Sequence, residues 1–264
     1  MLHDLRLIVT FIRAAIQQEM AFRANFFINL LGTVLDFVAG ISGMLILFSQ
    51  VVTLQGWAFP QALALLGVYQ LIGALRTLFI GPSLETLGGQ FGEIFAGSFD
   101  FTLLKPAHTQ FLVSFRAWRL WSLVDLLLSM IILGTACAEL GEQMSLLRLA
   151  TFLLALCASL TILYSIMLML ASLMFWYQGT SFLMIFDGLV QLGRYPVGIY
   201  PHWLRLLLLW VVPLGLITTV PAEALTGRVT AATLGGGVAL AVGLLVLASV
   251  LFRFSLRRYV GASS

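Results

Sequence analysis

The sequence predicts an all-α integral membrane protein with six transmembrane helices. Added to these are an N-terminal amphipathic interfacial helix, a short cytoplasmic helix, and re-entrant half-helices before the last span. Three observations predict it. Of the 264 residues, 61% are hydrophobic and only 9% charged, against roughly 25% charged in a soluble domain. The apolar runs are long and continuous, unlike the ~10-residue alternating segments of a membrane β-barrel. Basic residues also collect on alternate connections, the partition that orients a polytopic helical protein. Residues 1–264 read as one membrane domain without tandem repeats or low-complexity tracts.

Within residues 1–24, Leu5, Ile8, Phe11, Ile12, Ala15, Ile16 and Met20 recur at helical spacing, with Arg6, Arg13, Gln17 and Arg23 mostly between them. Such a helix rests in the headgroup plane. Its dispersed charges and lack of a small-residue cleavage site argue against a signal peptide. A bilayer core takes ~20 apolar residues, which directs attention to five runs. They are 26–49, interrupted by Asp36; 60–77, after Trp57 and Pro60; 120–136, after Arg116 and Arg119; 149–175, capped by Trp176 and Tyr177; and 230–252, followed by Arg253, Arg257 and Arg258.

Between the last two runs, two arrangements fit. In one, 175–192 crosses and 204–224 forms half-helices that dip in and return. In the other, 204–220 crosses and 180–192 lies at the interface. Pro213 in the middle of the second stretch and Pro221 at its end interrupt helical hydrogen bonding, and broken helices at membrane depth must be buried in protein or line a cavity. Either arrangement gives about six spans. With the N-terminus inside, one side carries Arg6, Arg13, Arg23, Arg76, Lys105, Arg116, Arg119, Arg253, Arg257 and Arg258; the other carries Arg148, Arg194, Arg205 and Arg228. Both termini are therefore expected in the cytoplasm.

The net charge of +3 follows from those helix-end arginines, and no clustered basic stripe suggests nucleic acid. Cys137 and Cys157 are too few and too isolated for a metal site or disulfide framework. His3, His108 and His202 do not converge, and no Gly-x-Ser-x-Gly nucleophile exists. Trp118, Trp121, Trp176, Trp203 and Trp210 fit interface anchors, and Gly235-Gly236-Gly237 fits close helix packing. No metal, cofactor or catalytic residue is expected in this chain.

The most informative connection is 81–110. Gly81-Pro82-Ser83 reads as a helix start, and Leu84, Leu87, Phe91, Ile94 and Phe95 then recur near helical spacing, with Glu85 and Glu93 on another face. Carboxylates suit the anionic inner leaflet poorly and a protein groove better. Ile94, Gly97, Asp100, Leu103, Leu104, Lys105 and Pro106 then resemble an "I-x-G-x-x-D-x-x-L-x-x-P" signature of a bacterial subgroup of ABC transporter type-2 permeases. Tyr195-Pro196, Ile199-Tyr200-Pro201, Leu204-Arg205, Pro213 and Pro221-Ala222 resemble that subgroup's stretch before the final span.

The resemblance implies the membrane-spanning subunit of an ATP-driven exporter in the bacterial inner membrane. It pairs with a second permease chain, identical or homologous, and with two cytoplasmic ATPase subunits that hold ATP and Mg. Segment 83–98 would be the coupling helix, with Glu85, Phe91, Glu93, Ile94, Gly97, Asp100, Lys105 and Pro106 at the ATPase contact. Segment 201–224, with Tyr195, Pro196, Pro201, Pro213 and Pro221, would form the outer exit path, which favours the first arrangement. Residues alone agree on the partner: Lys105 is the single lysine and precedes Pro106, so the chain has no phosphate-cradling P-loop. The alternative is an ion- or proton-coupled transporter using the intramembrane carboxylates Asp36, Asp125 and Asp187.

Overall fold

Apolar runs broken by glycine and proline become long helices joined by short, kinked ones. The structure, a computed structural model, describes residues 2–21, 23–54, 56–141, 145–177, 179–195, 197–210 and 212–259. The helices are α1 (Leu2–Ala21), α2 (Arg23–Gln50), α3 (Phe59–Leu75), α4 (Gly81–Glu85), α5 (Phe99–Leu103), α6 (Thr109–Phe115), α7 (Ser122–Leu140), α8 (Leu146–Leu173), α9 (Phe182–Val190), α10 (His202–Trp210), α11 (Val220–Leu225) and α12 (Ala231–Arg258). No strand forms among the described residues. Among the described residues, five helices are long and apolar enough to cross a membrane: Ala24–Gln50, Phe59–Glu85, Ser122–Leu140, Leu146–Leu173 and Ala231–Arg258.

Local chemistry sets the helix ends. Ser145 accepts a hydrogen bond from the Arg148 N–H at 3.2 Å and Thr230 from the Thr233 N–H at 3.1 Å, each taking up one orphan donor of the first turn. Gly141, with φ +62°, closes α7, a conformation in which a side chain would be strained.

The second crossing is longer than the sequence suggests. Pro82 reads as the start of a separate helix, but α3 continues through a π-helical turn, Arg76–Ile80, straight into α4. Proline inside a helix lacks an N–H and crowds the carbonyl four residues back. Here the Gly81 N–H bonds five residues back, to the Arg76 carbonyl. The Leu78 carbonyl, which Pro82 cannot serve, accepts instead from the Arg119 N–H at 3.0 Å. The same device precedes Pro221: the Val220 N–H reaches the Gly215 carbonyl across a second π-helical turn, Gly215–Thr219. The Leu216 carbonyl accepts from Ser159 Oγ at 3.0 Å.

Two helix pairs form the core, α3 with α7 and α8 with α12. Gly67 lies against Leu133 and Ile132, so a small residue lets α3 and α7 approach closely. Helix α2 packs lightly; Gly40 and Met44 are its buried residues among those described.

Contacts at the helix ends fix the path of the chain. At one end, the Gly89 N–H donates to the Thr180 carbonyl at 3.0 Å, and Tyr259 meets Phe99 and Phe175 edge-on. Also at this end, the Leu120 and Trp121 N–H groups donate to Glu19 of α1. At the other end, Arg228 donates to the Gly56 carbonyl at 3.1 Å, and Gly227 abuts Arg148. Phe175 also contacts Phe252, so α8 and α12 run parallel. The chain from Thr180 to Gly227 therefore travels from one end of the bundle to the other.

That passage is composite. α9 rises from Ser181, and Gly193 packs against Thr218 and Tyr69, near the middle of α3. The chain breaks at Pro213 between α10 and the Gly215–Leu225 stretch. Neither 175–192 nor 204–220 forms one continuous spanning helix.

Candidate functional site

The connection 76–121 and the start of α9 form a charged brace at the end of the bundle that also holds Thr180 and Tyr259. Segment 83–98 is not one amphipathic helix. Helix α4 stops at Glu85, and residues 86–98 form consecutive turns. Gly89 (φ +83°) and Gly97 (φ +72°) adopt left-handed backbone that an α-helix excludes and that other residues reach only with strain. The Glu93 N–H donates to the Thr86 carbonyl at 2.9 Å and the Phe99 N–H to the Glu93 carbonyl at 3.1 Å, closing the loop on itself.

Four arginine–carboxylate contacts hold this loop. Glu85 pairs with Arg119 at 2.7 Å and with Arg76 at 3.5 Å. Arg76 also pairs with Asp187 of α9. Glu93 pairs with Arg116 at 2.7 Å, whose guanidinium further donates to Thr86 Oγ1 at 2.6 Å and Thr102 Oγ1 at 3.1 Å. Ser83 Oγ accepts from the Ala117 N–H at 2.8 Å. The carboxylates expected to face a partner are thus mostly internal, with side chains 28% (Glu85) and 27% (Glu93) exposed.

What the loop offers outward is apolar. Phe91 is 98% exposed, Leu104 80%, Phe101 71% and Phe95 55%. Lys105 and Pro106 are exposed beside them, while Ile94 is buried. Gly97 and Asp100 are half-buried; Asp100 lies beside Tyr259, whose phenol is pushed up to about 12 by burial and then by that carboxylate. A cluster of exposed apolar side chains of this kind marks a surface that meets a protein partner or a membrane.

The other sequence-chosen residues scatter. Pro213 is buried and lines an apolar cavity of about 770 Å3 with Ile166, Met169, Phe186, Leu216 and Leu244, between α8, α9 and α12. Pro221 is buried behind its π turn, Pro201 is exposed, and the Tyr195 hydroxyl touches Gly43 of α2. Pro196 lies outside the described residues. Asp125 accepts from Ser122 Oγ at 3.1 Å and sits beside Thr33 and Asp36, which is exposed. Asp187 belongs to the charged brace, so the three aspartates do not form one cluster. Among the described residues, no group of three or more His, Cys, Asp or Glu could hold a metal ion.

A family model described as "ABC-2 family transporter protein" matches residues 34–263. The chain belongs to the ABC-2 transporter family. This ABC-2 protein is therefore a multi-pass membrane transport subunit, the permease of an ABC transporter, and permeases of this family normally work with ATPase subunits. No curated protein and no solved structure matches it.

Sequence reasoning missed Arg76, Arg116 and Arg119 as members of the site, and Phe101 and Leu104 as its outward face. A signal existed: the three arginines and the two glutamates all fall within residues 76–119, where opposite charges close in sequence tend to pair.

Proposed function

We propose that this ABC-2 permease is the membrane subunit of a bacterial exporter whose ATPase docks on the face made by Phe91, Phe95, Phe101 and Leu104. The observation that carries this reading is the combination of those exposed apolar side chains with the ion-paired brace beneath them. A motor pushing on Phe91 moves a loop tied through Glu85 to α7's start and through Arg76 to α9. Two ATPase subunits hold ATP and Mg, and a second permease chain, identical or homologous, completes the complex. The docking face is cytoplasmic, as are both termini, and the chain crosses the inner membrane six times. Five continuous helices and the end-to-end passage from Thr180 to Gly227 support that count. The exit path runs along α9, α10 and the Pro213 break, next to the apolar cavity, and carries substrate outward.

The test is capture of a P-loop ATPase with the tagged chain in mild detergent, identified by mass spectrometry. Phe91→Ala with Leu104→Ala removes two anchors of ~1–2 kcal/mol each, so recovery should fall at least about tenfold while membrane insertion is unchanged. Undiminished recovery with the double variant would sink the docking assignment.

A further inference from the structure

We propose that α1 and the Trp118–Trp121 turn hold one phospholipid with a primary-amine, zwitterionic headgroup of the phosphatidylethanolamine type. Two neighbouring cavities carry the inference. One, of about 400 Å3, is polar and aromatic; its lining includes Glu19, Asn25, Asn29, Trp118, Arg119 and Trp121. The other, of about 310 Å3, is apolar and is lined by Ile16, Met20, Phe27 and Leu120. Both share Glu19 and Phe26, so a polar chamber adjoins an apolar one, the shape of an amphiphile at the junction of head and tail. The depth fits as well. Asn25 stands at the start of α2, and Trp121 immediately precedes α7, where tryptophans mark the headgroup level.

Charge selects the headgroup. Arg119 is already balanced by Glu85 at 2.7 Å, which leaves the Glu19 carboxylate as the acidic group of the polar chamber. Glu19 anchors the turn by accepting from the Leu120 N–H at 2.6 Å and the Trp121 N–H at 3.2 Å. A carboxylate flanked by Trp118 and Trp121 favours an ammonium group through charge-assisted hydrogen bonding and cation–π attraction. The amides of Asn25 and Asn29 and the Arg119 guanidinium supply donors for the phosphate. An anionic headgroup without an amine would meet the carboxylate unpaired.

Native mass spectrometry of the full chain, purified from nanodiscs of equimolar phosphatidylethanolamine and phosphatidylglycerol, tests this. Wild type should retain the amine lipid about tenfold over the anionic one, as expected for one charge-assisted contact. Glu19→Gln keeps an acceptor for the Leu120 and Trp121 N–H groups and should abolish the preference. Asn25→Leu, at an exposed position, should lower retention of both lipids and serves if the first variant does not fold. Equal retention of the two lipids by wild type, a preference that survives Glu19→Gln, or full retention by Asn25→Leu would each overturn the proposal.

Discussion

Arg76 has two carboxylate partners on different elements, Glu85 and Asp187, and is itself only 14% exposed. Removing it strands Asp187 and leaves Glu85 to Arg119 alone, whereas removing Asp187 leaves Arg76 its contact with Glu85. Loss of one partner from a buried pair costs ~3–5 kcal/mol, and partial exposure of Asp187 lowers the figure here to roughly 1–2 kcal/mol. Arg76→Ala should therefore destabilise more than Asp187→Ala in thermal unfolding in detergent, and the exchanged pair Arg76→Asp/Asp187→Arg should recover part of the loss. A ranking in the opposite order would show that an under-compensated Arg76 costs more than a stranded Asp187. Tyr259 gives a pH prediction. Its phenol, raised to about 12, is neutral below pH 10 in folded and unfolded chains alike, and between 10 and 12 the unfolded chain ionises first. Stability should thus fall with pH across that window, and Tyr259→Phe should flatten the fall when unfolding is followed at pH 9 and pH 11.

At the level of helices, Pro82 and the turn before it act together. The Leu78 carbonyl accepts from Arg119 because proline offers no N–H. Pro82→Ala restores a competing donor, so the Arg119 amide should exchange with solvent several-fold faster, in line with a net hydrogen-bond worth of ~1 kcal/mol. An unchanged Arg119 exchange rate would mean that the carbonyl is not contested. The long spans were legible in the sequence because continuous apolar composition needs no tertiary information. The connection after the second long run was legible as a connection but not in its form. Phe91 and Ile94 were assigned to one apolar stripe, yet Phe91 points outward and Ile94 inward, because residues 86–98, with left-handed Gly89 and Gly97 near their ends, form turns and not the helix that would align the two. Arg76 and Asp187 are separated by 111 residues, and only the folded path of α9 brings them together. The fifth passage was ambiguous for a related reason: Pro213 and the 3-10 turns after α9 leave no single periodic run to find.

Over the whole molecule, the partition of ends makes a testable map. With Cys137 and Cys157 replaced by alanine, single cysteines at Phe91 and Arg258 should react with an impermeant maleimide only after the membrane is opened, and one at Thr53 should react in intact cells. All three positions are exposed. Labelling of Phe91→Cys from outside would invert the proposed topology and remove the docking face from any cytoplasmic motor. The composite passage also predicts uneven rigidity, since paired helices α8 and α12 protect their backbones better than short segments broken by proline.

The π-helical turn in the second crossing has one more effect, an angular one. In an uninterrupted α-helix, at about 100° per residue, positions nine apart such as 76 and 85 point in nearly opposite directions. The wider turn absorbs one additional residue and winds the helix back by roughly a quarter revolution, so the glutamate swings toward the arginine that holds it. The proline, through the irregularity it imposes, thus sets the azimuth at which the membrane helix presents its charge to the loop below.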